Sequence, residues 1–349
     1  MTDLFTAPDE ILRQRLGQVK NAVAFAFPQK RQHREDLPYA VRDLSRLLTT
    51  ERAQKNSYWA APRLLGAYLH YFLPWNLFRL SWLLPGLPLN LKTGDRILDL
   101  GSGPLTLPLA FRLCRPQDAI LPLTWFCSDL TPHPMEVGKD IFKQCGALMS
   151  PELKTAAPPW RLNLLRAPLE LALRKAKGRV NLITALNVLN ELPAPRQDSL
   201  EESLGSLFSS MDRALEPGGM ILLIEPGTRL GGKIVQLMRY AAMARGYEVL
   251  SPCTHNAACP FYPLAGSAIW RNTAPRPGVI LVMPVQERRK NCRNSALRQD
   301  YPRGVCIFRL CCCTSVARNP AVKVRLPAIP RSRSRSPARK CSRSEWFPI

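Results

Sequence analysis

Acidic side chains are the scarce component of this chain, with 26 Asp and Glu against 49 Lys and Arg among 349 residues. The deficit is most extreme near the end. Residues 271–349 hold 18 cations and three acids, a net of +15 that leaves +8 for residues 1–270. Long apolar runs are missing as well. Pro74, Asn76, Arg79 and Pro85 interrupt the apolar stretch Leu64–Leu91, and no uncharged run of the ~20 residues that span a bilayer survives there. A buried helical hairpin is expected instead, and no membrane partner. Met1–Glu10 lacks a basic segment followed by an apolar core, so it does not read as a secretory signal. A cytoplasmic, reducing compartment is therefore expected, where cysteines are metal ligands or inert more often than disulfides. After Trp270 periodicity is lacking, proline recurs nine times, and Cys311-Cys312-Cys313 and Arg331–Ser336 are low-complexity runs. A segment without an apolar pattern cannot offset its ordering entropy, so 271–349 is expected to be a disordered basic tail.

What remains can build a core. A hydrophobic fraction of 46% with 21% charged residues excludes a wholly disordered or collagen-like chain, and the length suggests about two domains. Residues 1–92 read as a helical region, because Ile11, Leu12, Leu16 and Val19, and again Val41, Leu44, Leu47 and Leu48, recur at three- and four-residue steps. From Arg96 the pattern changes to short β-rich runs. Arg96–Leu100, Leu121–Ser128, Trp160–Leu164, Val180–Leu186 and Met220–Glu225 read as strands, and 104–113, 134–149, 166–176, 196–215 and 230–245 as helices. Such alternation predicts an α/β domain over 93–270, a parallel sheet with helices on both faces.

Ile97-Leu98-Asp99-Leu100-Gly101-Ser102-Gly103 is a strand running into a glycine turn that opens a helix. Glycines let a backbone approach a nucleotide-like ligand at the carboxyl edge of an open sheet. Asp129, 26 residues past Gly103 at the end of the second strand, can accept hydrogen bonds from ribose hydroxyls; alternatively it is a helix cap before Pro132. Asn187, Asn190 and Glu191 follow the fourth strand and either line the same pocket or form a solvated, capping loop. Leu215–Gly219 reads as a turn. No residue stands out as a general base.

The glycine turn, Asp129, the Asn-rich fourth strand and Pro217-Gly218-Gly219 together resemble the class I S-adenosylmethionine-dependent methyltransferases. That resemblance implies a Rossmann-like sheet and a cofactor site at Asp99, Gly101, Gly103, Asp129 and Asn187. The family's glycine loop carries another glycine where this chain has Leu105. Thr49-Thr50-Glu51-Arg52, Ala67–Phe72, Asn187–Leu192, Ile224–Thr228 and Pro252-Cys253-Thr254-His255 through Cys259-Pro260 are more specifically similar to methyltransferase-like proteins of the small ribosomal subunit, found in bacteria and mitochondria. The resemblance covers about residues 30–270. It implies a role in rRNA modification, or in small-subunit assembly and translation, with the small subunit or its rRNA as partner and no DNA. It also implies an iron–sulfur cluster, for which Cys253 and Cys259 would be two ligands.

Taken alone, Cys253, His255 and Cys259 leave a four-ligand centre one short. Where the family continues with an aromatic-Cys-His element, this sequence reads Trp270-Arg271-Asn272, so two ordinary thiols are the alternative. The Arg-Ser runs can bind RNA through phosphates. A reading frame shifted near Ile269, with the last strands of the sheet truncated, accounts equally for the tail's composition and is the preferred expectation. Two rivals to a methyltransferase stand beside it: a non-catalytic RNA-binding assembly factor and a small-molecule methyltransferase.

Overall fold

The computed structural model describes residues 5–49, 58–147, 158–176, 179–192 and 200–253, and the backbone of 278–285. Helix α1 (Glu10–Ala26) starts where the Asp9 carboxylate accepts the Leu12 amide at 2.7 Å. Helix α2 (Arg31–Thr49) follows and buries Ala40 and Leu44. The next segment corrects an expectation. Instead of a hairpin, α3 (Pro62–Ala67) runs through a single wide turn, Tyr68–Phe72, into α4 (Leu73–Leu83). Pro74 lacks an amide hydrogen and its ring crowds the carbonyl four residues back. The wide turn before it, in which the Leu73 amide bonds Tyr68 O, takes up that misfit, and the helix continues.

Seven strands follow: β1 (Arg96–Leu100), β2 (Thr124–Asp129), β3 (Arg161–Arg166), β4 (Val180–Leu186), β5 (Leu215–Pro226), β6 (Tyr247–Ser251) and β7 (Gly278–Val285). They pair in the order β3-β2-β1-β4-β5-β7-β6, every pair parallel. This is the Rossmann-like parallel sheet with helices on both faces that the sequence predicts. Leu215–Gly219, expected as a turn, is the irregular start of β5: the register against β4 slips there and Gly218 sits at φ +78°. The expected truncation is also corrected, because β7 lies beyond residue 270 and pairs with both β5 and β6. Gly278-Val279-Ile280-Leu281-Val282-Met283 is a short continuous apolar run of the kind that forms a strand flanked on both sides, although its surroundings lack periodicity.

The helices α5 (Thr106–Cys114), α6 (Pro116–Ala119), α7 (Pro132–Ala147), α8 (Leu169–Lys175), α9 (Leu200–Ala214) and α10 (Arg229–Met243) cover the sheet. Successive strand residues face opposite layers. Ile97, Trp125 and Leu222 join the core beneath α5 and α7, whereas Leu98, Ile183 and Leu223 join that beneath α8, α9 and α10. Leu12, Val19, Leu73 and Leu77 belong to the first of these cores, so α1 and α4 share the interior of the sheet domain, while Ala40, Leu44 and Ala67 form a small separate cluster between α2 and α3. All described residues fall in one compact unit.

One cation ties the layers together. Arg115, 2% exposed, donates to Leu84 O at 2.7 Å, Leu87 O at 3.1 Å and Leu89 O at 2.8 Å, and pairs with buried Asp118. Removing one partner of a buried pair leaves the other charge uncompensated. Arg115→Met is therefore expected to lower the unfolding free energy by about 3–5 kcal/mol, read as a drop in the urea midpoint at unchanged slope.

Candidate functional site

The strand order reverses between β1 and β4, and in open α/β sheets a crevice forms outside the carboxyl ends at such a point. The structure gathers most of the sequence-selected residues there. Gly101 (φ +68°) and Gly103 (φ +48°) follow β1, and Asn187 (φ +54°) follows β4. Asn tolerates the left-handed region better than most side chains, and the Asn187 amide is fixed by a 2.7 Å bond to Ile224 O. Both carboxylate oxygens of Asp129 accept backbone amides. Its Oδ2 accepts the Gly103 amide at 3.0 Å, which anchors the loop, while Oδ1 accepts the Thr131 amide at 3.2 Å just ahead of α7. Burial pushes its carboxyl up, and the backbone amides of Thr131, Gly103 and Leu130 pull it back.

Asp99 is the most perturbed acid of the edge. It is 1% exposed; Oδ1 accepts the Thr184 hydroxyl at 2.7 Å and Oδ2 has no hydrogen-bond partner. Desolvation, with the nearby Asp129 charge, pushes its carboxyl up to about 7, against side-chain hydrogen bonding from Thr184 and Ser102. Nearby, buried Glu225 at the end of β5 accepts the Leu189 amide at 2.8 Å and the Asn190 amide at 3.3 Å, which holds the Leu189–Glu191 turn in place. Asn190 Oδ1 is a second buried acceptor without a partner.

Several participants were invisible in the sequence. A Cβ on Gly101 would overlap Val188, and one on Gly103 would meet the Trp59 ring at 3.4 Å. Trp59 packs in turn on Tyr58 and Tyr68, with ring centroids 4.4 and 4.8 Å away. Burial, then Glu191, Tyr68 and Asp129, push the Tyr58 phenol well up, and its hydroxyl lies 3.4 Å from Glu191 Oε2. A Cβ on Gly138, inside α7, would overlap the Pro104 backbone. A glycine within a helix costs ~1 kcal/mol relative to alanine, and that cost was the available signal for close packing. Leu105, where the family carries glycine, is left-handed too (φ +56°) and fully buried.

Of the cysteine motif, Cys253 is half-buried against the second core, whereas His255 and Cys259 lie outside the described residues. Among the described residues no group of three His, Cys, Asp or Glu could hold a metal ion, and no helix is long and apolar enough to cross a membrane.

The Asp99 carboxyl has a measurable consequence. Below about pH 4 it is protonated in both folded and unfolded chains and costs nothing; between 4 and 7 the unfolded chain ionises first, and stability falls by up to about 4 kcal/mol. Asp99→Asn cannot ionise. Its urea midpoint is expected to match the wild type near pH 4 and exceed it at pH 8, and parallel pH profiles would refute this account.

Residues 95–273 match the family described as mitochondrial small ribosomal subunit Rsm22. A search of curated proteins gave no match. Among solved structures, TrmN from Thermus thermophilus is 21% identical over 51% of this chain, which spans 41% of TrmN, at a TM-score of 0.26. A short-chain dehydrogenase from Oenococcus oeni PSU-1 is 11% identical over 44% of this chain and 74% of its own, at 0.29. A point mutant of MtNAS is 12% identical, over 58% and 68%, at 0.25. At these scores none of the three bears on function.

Proposed function

Because the chain belongs to the Rsm22 family of the mitochondrial small ribosomal subunit, we propose that it is a methyltransferase-like protein that binds S-adenosylmethionine at the β1–β4 edge and associates with small-subunit RNA. One observation supports cofactor binding above the rest. The buried Asp99 Oδ2 and Asn190 Oδ1 are unsatisfied at the edge where the glycine loop and Asp129 converge, and a buried acceptor left unmade is costly enough to imply a partner. In this proposal Asp99 and Asn190 accept from donors of the cofactor, Gly101 and Gly103 shape the loop, Asp129 anchors it and receives ribose hydroxyls, and Asn187 lines the floor. When bound, the cofactor supplies an electrophilic methyl on a sulfonium. The chain's part is then to orient that methyl and exclude water, which is where positioning catalysis gains most.

A second reading, a non-catalytic RNA-binding assembly factor, is favoured by a specific feature. Val188 and Trp59 already fill the faces of both loop glycines, and Asp129 already holds the Gly103 amide. Methyl transfer from labelled cofactor to small-subunit rRNA, with copurification of that RNA, separates the two readings from each other and from a small-molecule methyltransferase. A cytoplasmic location, expected from the polar N-terminus, goes with a small subunit outside an organelle, and fractionation of the full chain decides between that and the compartment in the family's description.

Calorimetry checks the cofactor. Gly103→Val and Asp129→Ala are expected to weaken S-adenosylmethionine binding at least tenfold with the helical signal intact, and Asp129→Asn, which keeps an acceptor for the Gly103 amide, less so. A folded wild type with no binding at millimolar cofactor removes this half of the proposal. For the cluster, Arg271 brings a cation where the resemblance implies a ligand. Iron and sulfide are expected far below one cluster per chain, and stoichiometric amounts would overturn that expectation.

A further inference from the structure

Both ends of the strands carry charge: at the carboxyl edge Asp99, Asp129, Glu191 and Glu225 stand with Arg166 and Arg229, and at the amino edge Asp95 precedes β1. At the amino edge, Arg174 and Lys175 end α8, Arg213 lies in the last turn of α9, Arg179 precedes β4 and Arg96 opens β1. Hydrogen bonds show that these five are neighbours. Arg96 donates to Ala176 O at 2.7 Å, immediately after α8, and Arg179 donates to Leu215 O at 3.3 Å, immediately after α9, while α8 packs on α9. Arg174, Lys175, Arg179 and Arg213 are exposed, and none of the four forms an ion pair among the described residues. Glu216, the exposed carboxylate in the same stretch of chain, is not paired with them either. A helix dipole favours cations at its carboxyl end, which accounts for part of this cluster but not for Arg179, which lies outside both helices.

Resting on the small-subunit reading, we infer that this cationic cluster is a phosphate-binding surface for rRNA, located on the side of the domain away from the cofactor edge. Its chemistry suits a polyanion: guanidinium forks match phosphate geometry, and cations without acidic partners release counterions when they meet a nucleic acid. Strands of five to seven residues at ~3.3 Å per residue hold the two edges roughly 20 Å apart. The cluster therefore tethers RNA without presenting the contacted nucleotides to Asp99 and its neighbours.

The test uses the full chain and transcribed small-subunit rRNA. Reversal of Arg174, Lys175, Arg179 and Arg213 to Glu is compared with reversal of four exposed cations elsewhere, Arg13, Lys20, Lys30 and Arg34, so that net charge is matched. The cluster variant is expected to bind at least tenfold more weakly than the matched control, and its salt dependence should be shallower by about 3 in log–log slope, at ~0.7 per lost single-strand phosphate contact. Arg174→Gln with Lys175→Gln, positions without hydrogen bonds to the fold, should lose about half of that slope and serves if the fourfold reversal does not fold. Equal losses in cluster and control variants overturn the assignment while leaving the small-subunit reading in place. Unchanged RNA affinity with lost cosedimentation on small subunits overturns it in favour of an acidic protein surface. A wild type that binds neither RNA nor subunits refutes the small-subunit reading itself, and the assignment with it.

Discussion

A buried guanidinium determines how the two halves of this protein meet. Arg115 leaves the end of α5 and reaches three carbonyls in the stretch that links the N-terminal helical rod to β1. Main-chain oxygens at the end of a helix need donors, and here one side chain serves them, with Asp118 balancing its charge. The rod is thereby held at a set height against the sheet. Trp59, just before the rod, can then lie on Gly103, and Tyr58 can reach Glu191. The candidate site thus has a wall that the sheet domain does not itself encode.

Glycine at this edge has more than one physical cause. Gly101 needs both a left-handed backbone and room for Val188, and Gly138 brings α7 against Pro104. These are demands of protein packing, and they hold whether or not a ligand is present. Leu105 shows the other side of the same trade. It accepts a left-handed backbone and in return contributes a fully buried side chain to the first core. A loop stabilised in this way keeps its shape without a cofactor, as both catalytic and scaffold roles require.

Much of this architecture was legible in the sequence, for reasons that differ by element. The first five strands announced themselves as apolar runs, and Asp99, Gly101, Gly103, Asp129 and Asn187 lie at strand ends because alternation of strands and helices fixes which end is which. Trp59, Val188 and Thr184 were not legible as partners, since their contacts join residues tens of positions apart that no local period connects. The rod of Pro62–Leu83 is continuous where a hairpin is expected, because a single wide turn absorbs Pro74, and no local period announces such a turn. Cys259 and the tail beyond Val285 lie outside the described residues.

The position of β7 has a bearing on how the chain is made. Among the described residues it is the last strand in sequence, yet it sits between β5 and β6, so during synthesis β6 has no hydrogen-bonded neighbour in that sheet until residues 278–285 emerge. Until then the nascent domain must keep a slot about one strand wide, roughly 4.8 Å to either neighbour, with two unpaired edges. Open edges of that kind template association with other chains, and late, non-local closure is slow. Vectorial synthesis therefore leaves this domain most vulnerable to misassembly in the interval between its sixth and seventh strands.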